Sequence, residues 1–265
     1  MLSWFKRNAG APDAATVMKR AIILKYCFVK GLASPPSDYL AQCKERWGED
    51  EWKKFGDEER ARIAQLVQQL READLWKDMG TTERDFMEAG SMQVTKQAII
   101  DAAWLAEPAG CLLWALGCAS DLPPYDQQVD PALTNKLPKE PTQILVTEAK
   151  LRSAESIQRQ RDLAELWHWR SRTRTLLESG GLPSVLSGGM TIDTVIRMAS
   201  VKAAEEGAFP APIGDDFPAF GKAYRDLTPD EFSIATSIAL ERHRAFNWLS
   251  GRAPGNRWAD TPTDT

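Results

Sequence analysis

Hydrophobic positions along this chain recur at three- and four-residue steps, and no run of alternating residues competes with that period, so the predicted fold is all-α. The clearest stripe, Ile63, Leu66, Val67 and Leu70, falls within 57–77, where Asp57, Glu58 and Glu59 suit the positive end of a helix dipole. An earlier helix is expected over 13–30, stopped by Gly31 and the Pro35-Pro36 pair, with Ser37 capping a short successor. Thr228-Pro229-Asp230-Glu231 combines a capping threonine, proline at the first helical position and a glutamate three residues after the cap, which predicts a helix over 229–250. Another helix is expected to begin after Ser153.

Two stretches break the pattern. Pro123, Pro124, Pro131, Pro138 and Pro141 crowd one loop, and Pro210, Pro212 and Pro218 fall within the second, 207–221. A short strand is expected at 143–146. The chain reads as a single irregular helical domain over 1–250, with 120–142 as the only candidate internal boundary, followed by a tail, 251–265. Within that polar tail Trp258 is a large apolar group, so it is expected to dock near the last helix while Asp260 or Asp264 meets an arginine.

Charges inside the apolar stripes carry the most information. Ile100, Trp104, Glu107, Cys111, Trp114 and Cys118 follow a four-three-four-three-four spacing, which puts Glu107 in the middle of an apolar face. Pro108 cannot donate to the Trp104 carbonyl, so a kink or break is expected beside that carboxylate. After Ser153, Leu163, Leu166, Trp167, Trp169, Leu176 and Leu177 form a broad sector that includes Arg170 and Asp162. In the last helix Arg242 sits among Phe232, Ile234, Ala235, Ile238, Ala239, Phe246 and Leu249.

A lone ion in a low-dielectric interior costs several kcal/mol, so these groups are expected to converge as a cluster of Glu107, Arg170 and Arg242, with Asp162 as the second anion. Two readings follow from that cluster. In one it is a salt-bridge network that fixes helix register; in the other it lines a pocket for a small anionic or polar ligand, since arginine forks suit carboxylate and phosphate.

Other candidate chemistry is sparse. Glu165-Leu166-Trp167-His168 has the Glu-x-x-His spacing of di-iron bundles but no second copy, and both residues fall opposite the apolar sector, which predicts a surface or capping role. His168 and His243 are the only histidines and the natural candidate bases, yet neither lies in a nucleophile motif. Ser187-Gly188-Gly189 is a glycine-rich turn with no phosphate-loop context. The arginines after Trp167 can in principle contact nucleic acid, but both tryptophans are expected to pack inward and leave Arg172 as a solvated cation.

A net charge of -4 argues against a general polyanion binder. Cys27, Cys43, Cys111 and Cys118 form no metal or redox spacing and read as reduced thiols, the last two sharing one helix face, so the expected setting is cytoplasmic. The most apolar uncharged run, 108–120, is well short of the ~20 residues of a membrane span, and no signal peptide is expected. No cofactor is expected.

The run from Glu241-Arg242-His243-Arg244 to Ala245-Phe246-Asn247-Trp248-Leu249, then Trp258-Ala259-Asp260 and Thr263-Asp264-Thr265, belongs with Trp104, Glu107, the 112–117 segment and Leu151-Arg152-Ser153 leading into Trp169. Together they resemble the bacterial domain-of-unknown-function family four-two-seven-two, over residues 13–265. The resemblance implies a mostly helical, intracellular protein and transfers no catalytic residue. The family ending usually reads tryptophan then aspartate, whereas Ala259 here separates Trp258 from Asp260. The expected function is a protein-binding or regulatory module rather than an enzyme; the alternative is an enzyme or small-ligand receptor built on Glu107, Arg170 and Arg242.

Overall fold

The structure, a computed structural model, describes residues 10–141, 150–183, 185, 186 and 188–265. Among these residues it is all-α apart from one small hairpin, as the hydrophobic period predicts. The strand expected at 143–146 lies outside the described residues.

Helix α1 (Ala14–Ala33) starts where the Asp13 carboxylate accepts the Thr16 N–H at 2.8 Å. Val17, Ile22, Ile23, Leu24 and Phe28 bury it on most sides, so it is a central helix rather than an amphipathic one. Gly31 does not stop it. A Cβ there would lie 2.5 Å from the Cβ of Ala102, so this glycine marks a close approach of α1 to α5, not a helix end.

Helix α2 (Ser37–Arg46) has Ser37 as its first helical residue behind Pro36, with no side-chain cap bond. Helix α3 (Glu49–Glu72) begins eight residues before the expected start, because Glu49, Asp50 and Glu51 already supply an acidic first turn and Trp52 and Phe55 extend the stripe backwards. It ends before 77: Asp74 takes a positive φ of 57°, and Trp76–Asp78 makes a single 3-10 turn. Helix α4 (Thr81–Glu88) is too short to announce itself by periodicity.

The helical stripe through Glu107 is two helices, α5 (Lys96–Trp104) and α6 (Ala106–Ala115), broken at Leu105. The break falls one turn before Pro108, where the Trp104 carbonyl has no N–H to receive. Cys118 lies past the end of α6, so it shares no helical face with Cys111; all four cysteines are free thiols. The combined stretch Lys96–Ala115 is long and apolar enough to cross a membrane, but it is mostly buried against other helices.

Helix α7 (Ala154–Glu178) is capped by the Ser153 hydroxyl, and α8 (Ile192–Glu205) by Thr191. Between α8 and α9 the strands β1 (Pro218–Ala219) and β2 (Lys222–Ala223) pair antiparallel across Phe220 and Gly221, both at positive φ. Helix α9 (Pro229–Leu249) carries the expected capping box: Thr228 accepts the Glu231 N–H, and Glu231 accepts the Thr228 N–H at 2.8 Å. Arg161 meets Asn247 and His168 meets His243, so α7 and α9 run antiparallel; α6 packs on another side of α9. Two 3-10 turns, Pro254–Asn256 and Trp258–Asp260, fold the tail back onto this body.

Candidate functional site

Glu107 and Arg242 meet at the centre of the helices. Arg242 Nε donates to Glu107 Oε1 at 2.6 Å, and each side chain is about 1–2% exposed. The pair is also a clamp on the proline-rich loop. Arg242 Nη1 donates to the Pro123 carbonyl at 2.6 Å and Nη2 to the Gln127 carbonyl at 3.1 Å, while Glu107 Oε2 accepts the Val129 N–H at 2.9 Å. Prolines cannot donate, so this loop forms few bonds within itself and borrows its donors from α9. The guanidinium lies 4.5 Å from the Tyr125 ring centroid, and that ring stacks on Trp167 at 5.1 Å.

Arg170 does not join this cluster. It forms a bidentate pair with Asp216, Nε to Oδ1 at 2.8 Å and Nη2 to Oδ2 at 2.7 Å. Both Glu107 oxygens are already engaged, by Arg242 and by the Val129 N–H, and Arg170 projects from the side of α7 that faces the 207–227 loop. Burial pushes the Asp216 carboxyl up, but Arg170 and the N–H groups of Phe217 and Arg225 outweigh burial and hold it below the usual carboxylate range. Asp162 is not the second anion either. It lies at the exposed edge of its sector and pairs with Arg161 at 3.1 Å. Sequence periodicity missed Asp216 because it sits in a loop, where no helical stripe marks an inward position.

His168 is buried, not on a surface, because α9 covers the side of α7 opposite its leucine sector. Its Nδ1 lies 3.0 Å from Nδ1 of His243. Neighbouring bonds fix the protons. Arg161 can only donate, so its 2.9 Å bond identifies the Asn247 oxygen, and the Asn247 amide nitrogen therefore donates to His243 Nε2 at 2.9 Å and to the Pro262 carbonyl at 2.8 Å. His243 then carries its proton on Nδ1 and gives it to His168 Nδ1, which leaves His168 protonated on Nε2. A further proton on either ring would set donor against donor. Glu165 holds Arg161 from the other side at 2.6 Å, and no group of three metal-ligating side chains occurs among the described residues.

Burial, with the Arg172 charge adding to it, pulls His168 down to about 4; burial, with His168, Arg161 and Arg252, pulls His243 down to about 3. An unfolded histidine titrates near 6.5, so the folded and unfolded states bind equal protons above that pH. Below it only the unfolded state takes them up, and stability is expected to fall by a few kcal/mol in all as pH drops from ~6.5 towards ~4. Urea midpoints at pH 7.5, 6.5 and 5.5 test this: wild type should lose stability over that range more steeply than His168→Gln. Parallel curves would remove the pair from the account.

The tail docks as expected. Trp258 packs edge-on against Trp248, centroids 5.5 Å apart, and the Arg20 guanidinium lies 5.5 Å from its ring. Asp260 pairs with Arg257 inside the tail, whereas Asp264 is exposed and has no ion pair among the described residues. Trp104 is half-buried against the core.

A separate surface lies on α3. Only Val67 and Leu70 of its 24 residues are fully buried. Trp52, Phe55, Ile63 and Met92 line a groove of about 650 Å³ beside the 88–93 segment, with Trp47, Trp52 and Phe55 packed ring to ring at 5.5–6.1 Å.

No curated protein and no solved structure matches the chain. A match does exist among protein families: residues 6–186 fit the family described as domain of unknown function (DUF4272). That range holds Asp162 with its partner Arg161, and also Glu107, His168 and Arg170, whose partners Arg242, His243 and Asp216 lie beyond it. It spans well over half of the sequence, and the chain belongs to the DUF4272 family.

Proposed function

We propose that this chain is a protein-binding module of the cytosol, built as one domain, and that the α3 groove receives an apolar helical segment of a partner protein. The observation that carries the reading is the outer half of α3, where an apolar stripe continues past the last buried residue and its aromatic rings remain half-exposed. Continuous apolar surface of this kind is characteristic of interaction sites. The groove runs beside a helix and is bordered by Arg60 and Glu88, so an amphipathic helix, apolar inward and charged at its edges, matches its shape and rim. Four unpaired thiols suit a reducing compartment. The buried arginines support a structural role, because Arg242 is engaged by Glu107 and loop carbonyls and Arg170 by Asp216.

The test compares capture from native lysate by wild type, Phe55→Glu in the groove and Met198→Glu on exposed α8, all with equal melting temperatures. A protein bound by wild type and Met198→Glu but lost from Phe55→Glu supports the reading. Identical captured sets, or a groove that mediates only self-association, would overturn it.

A further inference from the structure

Beneath the docked tail is a solvent-open cavity of about 330 Å³, lined by residues of α1, α4, α5, α9 and the tail itself. It lies apart from the α3 groove and shares none of its residues. Its walls include Phe86, Leu105 and the ring of Trp258, and the Cys27 thiol is at its floor. Burial pushes that thiol well above its ordinary range, so Cys27 is an apolar wall group and not a nucleophile.

The polar lining is unusual in its charges. Asp101 on α5 and Arg244 on α9 both line the cavity, yet they form no ion pair with each other. Asp101 is exposed at the cavity mouth and has no ion pair among the described residues; its carboxylate accepts from the Gln97 amide at 2.7 Å. Arg244 reaches Glu241 only at 3.4 Å to each oxygen, long for a charge-assisted bond. Burial pushes the Glu241 carboxyl up; Arg244 opposes this, and the nearby Asp101 and Glu107 charges reinforce it. Glu83, the other acid in the lining, is already occupied by Arg20 at 2.7 Å and by the Gly80 N–H at 2.8 Å.

We propose that this cavity binds a small zwitterion of the α-amino acid class, its ammonium on Asp101, its carboxylate on Arg244 and its apolar side chain against Phe86, Leu105 and Trp258. One acid and one base on different helices, each under-paired and set around an apolar floor, present the complement of such a molecule. A simple amine would leave Arg244 with only its long contacts to Glu241, and a simple carboxylate would leave Asp101 with only the Gln97 amide. The volume sits at the low end for ligand cavities, roughly 300–1,000 Å³, which suits a single small molecule rather than a nucleotide.

Calorimetric titration of the full chain with L-leucine and L-phenylalanine tests the proposal, with phenethylamine and 3-phenylpropionate as probes that each lack one charge. Saturable binding of at least one amino acid is expected, with either single-charge probe weaker by about tenfold or more. Asp101→Asn and Arg244→Gln lie at or near the surface, so both should keep the wild-type melting temperature and each should weaken the amino acid by a similar factor. If neither amino acid gives heat at ~10 mM, a concentration well above the millimolar Kd of even a weak complex, the proposal fails. It fails equally if the single-charge probes bind as well as the zwitterions, or if both variants bind like wild type.

Discussion

Replacing Arg242 with methionine is expected to lower folding stability by about 3–5 kcal/mol, the usual result of breaking a buried ion pair from one side. Glu107 would remain at about 2% exposure with its charge unanswered, or would take up a proton and hold the Val129 N–H more weakly, as a neutral acceptor. In an ordinary buried pair, replacing both partners with apolar side chains restores much of the loss. Here it is expected not to. In Glu107→Leu combined with Arg242→Met, the carbonyls of Pro123 and Gln127 and the N–H of Val129 would all lose their side-chain partners, each costing about 1–3 kcal/mol where it stays dry. Urea denaturation of the two single variants and the double checks both statements. A loss under about 1 kcal/mol for Arg242→Met, at the level of a surface pair, would show that the interaction is solvated.

Trp258→Ala is expected to cost a similar amount, about 3–5 kcal/mol, by removing a large buried side chain. The indole covers Trp248 and provides the face over which Arg20 lies, so its loss uncovers one aromatic ring and leaves a cation beside apolar surface. The tail holds few other anchors: Asn247 reaches the Pro262 carbonyl, and Trp248 Nε1 donates to the Asn256 carbonyl at 3.0 Å. Limited proteolysis should therefore cut Trp258→Ala between 254 and 265 at protease levels that leave wild type whole, and Trp258→Phe should sit between them. A thermal melt and cleavage pattern like wild type for Trp258→Ala would show that the indole does not anchor the tail.

Much of the helical framework is readable in the sequence. The capping boxes and acidic first turns depend on contacts three or four residues apart, and the stripe that isolates Glu107 and Arg242 on inward faces needs only the helical period. Pairing partners are another matter. Arg170 is correctly read as buried, but its partner Asp216 comes from an irregular loop whose path depends on tertiary packing. His168 illustrates the opposite failure: it lies opposite the leucines of α7 and reads as exposed, yet α9 covers that side too. A helix flanked on two sides has no polar face for periodicity to find, and residues such as Arg161 and Asn247 are then buried without any apolar stripe to mark them. The cavity charges Asp101 and Arg244 belong to the same class, since each is unremarkable along its own helix and gains meaning only from the other.

The two arginine clamps also bear on the order in which the chain folds. Arg242 reaches the Pro123 carbonyl across 119 residues, and Arg170 reaches Asp216 across 46. Neither irregular segment can settle from local contacts, because the donors that fix it arrive only with the assembled α7–α9 pair. Closing such long loops is slow, and their rewards come late. Both segments therefore belong to the downhill side of the folding barrier, and weakening either clamp should speed unfolding far more than it slows folding.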